Sequence, residues 1–79
     1  MDILLLANDQ GVATKGSETT LEDLSKNWET DIWATSTLRI SIENTLYVRK
    51  ITSNTNQKLI FNALPDGVKA RKGDVWSLF

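Results

Sequence analysis

The sequence predicts an all-β domain: a small antiparallel barrel or sandwich of five or six short strands, with one short helical turn near residues 21–28. Three observations carry this. Runs rich in β-branched and aromatic residues recur between polar turns every 8–12 residues. The clearest run, Thr37 to Glu43, alternates polar and apolar with the period of a strand. The chain has 79 residues and no stretch that separates two domains, so residues 1–79 form one domain whose open edges closure would remove.

Taken in order, Ile3-Leu4-Leu5-Leu6 reads as a first strand and Asn8-Asp9-Gln10-Gly11 as a turn, because Asn and Asp bond back to their own backbone and Gly accepts positive φ. Gly11 to Thr20 is small and polar, a loop with a short strand near Thr19-Thr20-Leu21. Leu21, Leu24 and Trp28 then stand three and four apart, which is helical spacing, with Thr20 placed to cap the turn. Thr37–Glu43 puts Leu38, Ile40 and Ile42 on one face and forms a hairpin with Leu46–Thr52 across Asn44-Thr45. Ser53–Asn56 turns into a strand at Lys58–Phe61. Leu64-Pro65-Asp66-Gly67 and Lys72-Gly73-Asp74 are further turns, with a brief pairing at Val68–Ala70 between them. Asp74–Phe79 closes as a strand with Trp76 and Leu78 on one face and Val75 on the other.

Composition narrows function. Nine basic against ten acidic residues give a net charge of −1, weak ground for a nucleic-acid protein. The chain has no His and no Cys, which removes the usual general base, the thiol nucleophile and the commonest zinc ligands. Its carboxylates form neither a catalytic pair nor a calcium-loop series, and its four glycines form no phosphate loop. The expectation is a non-enzyme with no cofactor and no tight transition-metal site. The first apolar run is too short for a secretory signal or a membrane span, so the protein is expected in the cytoplasm at synthesis, where a virion could take it up.

Three tryptophans in so small a chain serve best as core bulk. Trp28, Trp33, Ile40, Ile51 and Leu59 are the expected structural core. An exposed Trp would instead make a platform for carbohydrate. Arg39 and Arg49, if they shared a face near Tyr47 and Trp76, would make a single-stranded nucleic-acid barrel. At the termini, Ile3–Leu6 and Trp76–Phe79 are more apolar than one small interior can take. They are expected to pair or lie close, with Leu4, Leu5, Trp76 and Phe79 in a contact with a second copy or a neighbouring subunit.

One resemblance spans most of the chain. Thr19-Thr20-Leu21-Glu22-Asp23-Leu24-Ser25-Lys26-Asn27-Trp28, then Trp33, Arg39-Ile40, Arg49, Ile51 and Ser53-Asn54-Thr55 follow the order T-T-L-x-D-x-S-K-x-W, W-x-G, V-R-I, R-x-I-x-S-N-T. This resembles a small β-module that recurs in bacteriophage and prophage virion proteins, tail-associated ones in particular, and in some bacterial surface proteins. Asp74–Leu78 resembles its closing strand, with Trp76 displaced. Two departures stand out: Ala34-Thr35-Ser36-Thr37 replaces the Gly expected soon after Trp33, and Ile42-Glu43-Asn44-Thr45 replaces a glycine-rich hairpin. The resemblance implies a structural or assembly module without catalytic residues, its partners being itself or neighbouring virion subunits. The matching residues suit a scaffold: Asp23 and Ser25 cap the turn, Trp28 and Trp33 fill the barrel end, and Asn54 takes left-handed geometry.

Overall fold

The computed structural model describes residues 7–79, so the strand expected at Ile3–Leu6, with Leu4 and Leu5, lies outside the described residues. Seven antiparallel strands follow in chain order: β1 (Asp9–Val12), β2 (Lys15–Gly16), β3 (Thr20–Glu22), β4 (Thr37–Ile42), β5 (Thr45–Asn54), β6 (Lys58–Phe61) and β7 (Val75–Leu78). Their order in space is β1-β7-β4-β5-β6-β3-β2. The strands at the two ends of that order are consecutive in the chain. Across the two residues between them, Ala13 N–H donates to Asp74 O on the β7 side and Thr14 N–H to Glu22 O on the β3 side, each at 2.8 Å. One run of backbone therefore serves both ends and draws the sheet round into a barrel, with few bare edges to pair with other chains.

The bend on the far side is a β-bulge. Ile51 pairs with Phe61 and Ser53 with Ile60, leaving Thr52 as the extra residue where β5 passes from one half of the sheet to the other. Inward residues from both halves meet in the core: Leu38, Ile40 and Ile42 of β4, Ile51, Leu59 and Phe61, Leu21, and Trp76 and Leu78. Ile40, Ile51 and Leu59 are among the most deeply buried side chains. Trp28 and Trp33 are half-buried and pack against this core from one end.

Four expectations are corrected. The helical turn at 21–28 does not form: Leu21 is a buried strand residue and Leu24 is exposed. The Asp23 carboxylate explains why. Its Oδ1 accepts the Ser25 N–H at 3.0 Å and the Ser25 hydroxyl at 2.6 Å, and Lys26 N–H reaches Asp23 O at 3.1 Å. The side chain closes a single tight turn and so competes with helix propagation. The turn expected at Asn8–Gly11 is strand β1 instead. A Cβ on Gly11 would collide with Asp23 Oδ2 and crowd the Trp76 ring, so this glycine serves close packing inside a strand. The hairpin turn falls on Glu43-Asn44, both at positive φ, one residue earlier than read. Asn54 is not left-handed; it ends β5 with a buried side chain used as an anchor.

Candidate functional site

Two constructions stand out, one turned inward and one outward. The inward one is the tryptophan end. Trp28 meets Trp33 edge-on at 6.4 Å between centroids and Trp76 at 5.7 Å. Its indole N–H donates to Asp9 Oδ2 at 2.7 Å. The Lys26 ammonium bonds Asp9 Oδ1 at 2.8 Å and Gln10 O at 2.7 Å while sitting 5.2 Å from the Trp76 ring centroid. Burial pushes the Asp9 carboxyl up, but hydrogen bonds from Lys26, Trp28 and the Gln10 N–H, together with the Lys26 charge, outweigh it and hold the group below its ordinary value. Lys26 and Trp28, two motif residues, thus clamp the 23–28 segment onto β1.

Asn54 anchors the next segment. Its Oδ1 accepts the Trp33 N–H at 2.8 Å, and its Nδ2 donates to Glu29 O at 2.9 Å and Thr55 O at 2.8 Å. This holds a loop in which Asp31 and Thr35 have φ of 60° and 72°. Thr35 stands where the pattern's glycine would follow Trp33. Three buried polar atoms here, Asp23 Oδ2, Trp33 Nε1 and Trp76 Nε1, have no hydrogen-bond partner among the described residues. The cluster is a fastening: the side chains of Lys26, Trp28 and Asn54 bond groups on neighbouring segments.

The outward construction is the outer face of β1, β7, β4 and β5. Register places Val12, Val75, Ser41 and Leu46 directly opposite one another in one row, and Gln10, Ser77, Arg39 and Val48 in the next. Phe79 and Thr37 exchange backbone hydrogen bonds, and Thr37 pairs with Lys50, which makes a third row. Val12, Leu46, Val48 and Val75 are 52%, 58%, 47% and 60% exposed. The Arg39 guanidinium lies 4.7 Å from the Phe79 ring centroid. An open trough of about 550 Å³ runs across this face between Val12, Val75, Leu46, Arg39 and Phe79. Val12 and Val75 stand opposite each other on β1 and β7, and Leu46 and Val48 lie on β5 beyond Ser41 and Arg39, so the face carries exposed aliphatics from three strands with a cationic border.

The expected interface is thereby redrawn. Phe79 belongs to the outward face, but Trp76 is buried at the tryptophan end. Strand β7 is flanked by β1 and β4, so it offers no edge for strand addition. Arg39 and Arg49 do not share a face: Arg39 stands opposite Val48, so Arg49, one residue on, projects to the other side, where it bonds Ala63 O at 3.1 Å. Val12, Leu46, Val48 and Val75 were not singled out by the sequence reading. The available signal was the alternation that put Val75 opposite Trp76 and Leu78. The chain matches no protein-family model, no curated protein and no solved structure.

Proposed function

We propose that this chain is a non-enzymatic structural or assembly module of a phage or prophage particle, working through protein–protein contacts. The observation that carries the reading is the four-strand outer face, where four exposed aliphatic residues and Phe79 lie together beside Arg39. Isolated exposed aliphatics are ordinary on small proteins, but four of them from three strands, gathered with Phe79 on one face, are more than that. The virion context rests on the motif resemblance. Asp23, Ser25, Lys26, Trp28, Trp33 and Asn54 all have packing or fastening roles, as a module defined by its scaffold requires. A carbohydrate platform would have to come from Trp28 or Trp33, because Trp76 is buried.

The test is composition of particles. Virions or phage-tail-like particles purified on a density gradient from the source strain should contain this chain in a fixed ratio to the other subunits. Particles lacking it, with the chain left in the soluble fraction, would overturn the reading. Tight, saturable binding to an oligonucleotide or a glycan, with none to particle subunits, would replace it.

A further inference from the structure

The outward face has a charge character that a partner must answer. Its charged side chains are Arg39 and Lys50, and no Asp or Glu side chain lies in its three rows among the described residues; Glu43, beyond it at the hairpin tip, is already paired with Arg71 at 3.0 Å. Two copies meeting face to face would set these cations against their own counterparts, which costs free energy on association.

A surface of the opposite character exists on the same molecule. Glu29, Thr30, Asp31 and Ile32 are consecutive and exposed; Ile32, 52% exposed, follows the two acids in the chain, and Asp31 Oδ1 also accepts the Asn54 N–H at 3.2 Å. The segment is fixed in shape. Ile32 N–H reaches Glu29 O at 3.3 Å, Asp31 N–H reaches Asn54 O at 2.9 Å, and the buried Asn54 side chain holds Glu29 O. Among the described residues, none of Glu29, Asp31, Arg39 and Lys50 is ion-paired. An apolar knob with two negative charges and an apolar trough with two positive ones are complementary, and the knob's rigidity lowers the ordering cost of contact.

We propose that the occupant of the face is a second copy of this chain, bound head to tail, with Ile32 seated between Val12, Val75 and Leu46 and with Glu29 and Asp31 facing Arg39 and Lys50. This rests on the assembly reading above and deepens it. The contact joins different surfaces, so it repeats from copy to copy into a ring or a filament. Such a contact is weak alone and strong in an array.

Sedimentation velocity of the full chain from about 10 µM to about 1 mM, at low and high salt, tests it, since exposed ion pairs are screened within roughly a nanometre. Wild type should associate with rising concentration, and more weakly at high salt. Arg39→Glu with Lys50→Glu makes the face acidic, and Glu29→Lys makes the knob less acidic. Each variant should associate at least tenfold more weakly alone, and an equimolar mixture should recover pairing between unlike copies, because the unaltered face of the knob variant meets the unaltered knob of the face variant. Lys50→Glu alone replaces the double variant if circular dichroism shows that variant unfolded. A wild type that is monomeric throughout overturns the proposal, as does face-variant loss with an unaffected knob variant, or no recovery on mixing. If the chain is a stoichiometric part of particles yet monomeric in solution, the head-to-tail contact alone fails. If head-to-tail association is found but particles lack the chain, the particle reading alone fails.

Discussion

The tryptophan end and the outer face of β1-β7-β4-β5 both gather large apolar side chains, but they surround them differently. At the tryptophan end, each indole that approaches the surface is met by another ring or by the polar clamp of Asp9 and Lys26. On the outer face, Val12, Val75, Leu46 and Val48 stand opposite their cross-strand neighbours with about half of each residue exposed. The first arrangement turns apolar surface and charge into fold stability. The second leaves both available to a partner. Substitutions at the two places should therefore separate folding from association.

The largest effect is expected at Trp28. Replacing it with Ala removes two edge-on aromatic contacts and leaves Asp9 with one fewer donor. Emptying an aromatic core site costs about 3–5 kcal/mol, and partial exposure places Trp28→Ala toward the lower figure. For a domain this size about 1 kcal/mol moves Tm by roughly 4–8 °C, so a thermal melt should show a fall well above 10 °C. A melt within a few degrees of wild type would mean that this end is not where stability resides.

Asp9→Asn should cost less, on the order of 2 kcal/mol, the range for hydrogen bonds to a charged group. It also has a pH signature. The folded carboxyl titrates below its ordinary value. Its stabilisation is therefore fully present above the unfolded value, near 3.8, and is lost as pH falls through the lower folded value. Urea midpoints measured from about pH 6 down to about pH 2 should fall more steeply for wild type than for Asp9→Asn, with the two curves converging at the acid end. Parallel curves would remove Asp9 from the clamp.

Much of the fold was legible because it rests on local pattern. Lys58–Phe61 is bounded by polar turns and is a strand at those residues. The alternation of Leu38, Ile40 and Ile42 named the buried face of β4. Local pattern failed where a contact distant in sequence decided the conformation. Gly11 reads as a turn glycine until Trp76 and Asp23 close on it. Leu21, Leu24 and Trp28 have helical spacing, but Leu21 is held in the sheet by its pairing with Leu59. The outer face was hidden for the same reason. It exists because residues 9–12 pair with residues 75–78, and neither segment carries the register that aligns Val12 with Val75. The knob was hidden because nothing near Ile32 in sequence announces that Asn54 will hold that loop outward.

Thr35 gives a smaller effect, of opposite sign. A β-branched residue at φ 72° is strained, because its Cβ crowds the following carbonyl. Its N–H donates to Ile51 O at 2.9 Å, a bond that glycine would keep. Relief of about 1–2 kcal/mol, less the roughly 0.5–1 kcal/mol that glycine's greater unfolded-state freedom costs, leaves Thr35→Gly more stable by about 0.5–1 kcal/mol. Tm should rise by a few degrees. A fall would show that the hydroxyl or methyl of Thr35 makes a contact worth more than the strain.

The smallest expected change in stability is on the outer face, and it is the one that sharpens the comparison most. Val75→Thr with Leu46→Thr keeps β-branched or strand-compatible side chains at two exposed, cross-strand positions on either side of Ser41. Neither side chain reaches the core, since Trp76 and Leu78 occupy the inward positions of β7. The folded state loses little that it had buried, so the melt should stay within about 0.5 kcal/mol of wild type. What should change is contact with other molecules. The trough loses the apolar walls on which Ile32 of the next copy is proposed to sit, while Arg39 and Lys50 keep the field that draws that copy in. Self-association of the double variant should weaken severalfold and keep its salt dependence, whereas Lys50→Glu should weaken it and flatten the salt dependence as well. Equal loss of stability and association in Val75→Thr/Leu46→Thr would erase the distinction between the two regions, because it would make the outer face part of what holds the barrel together.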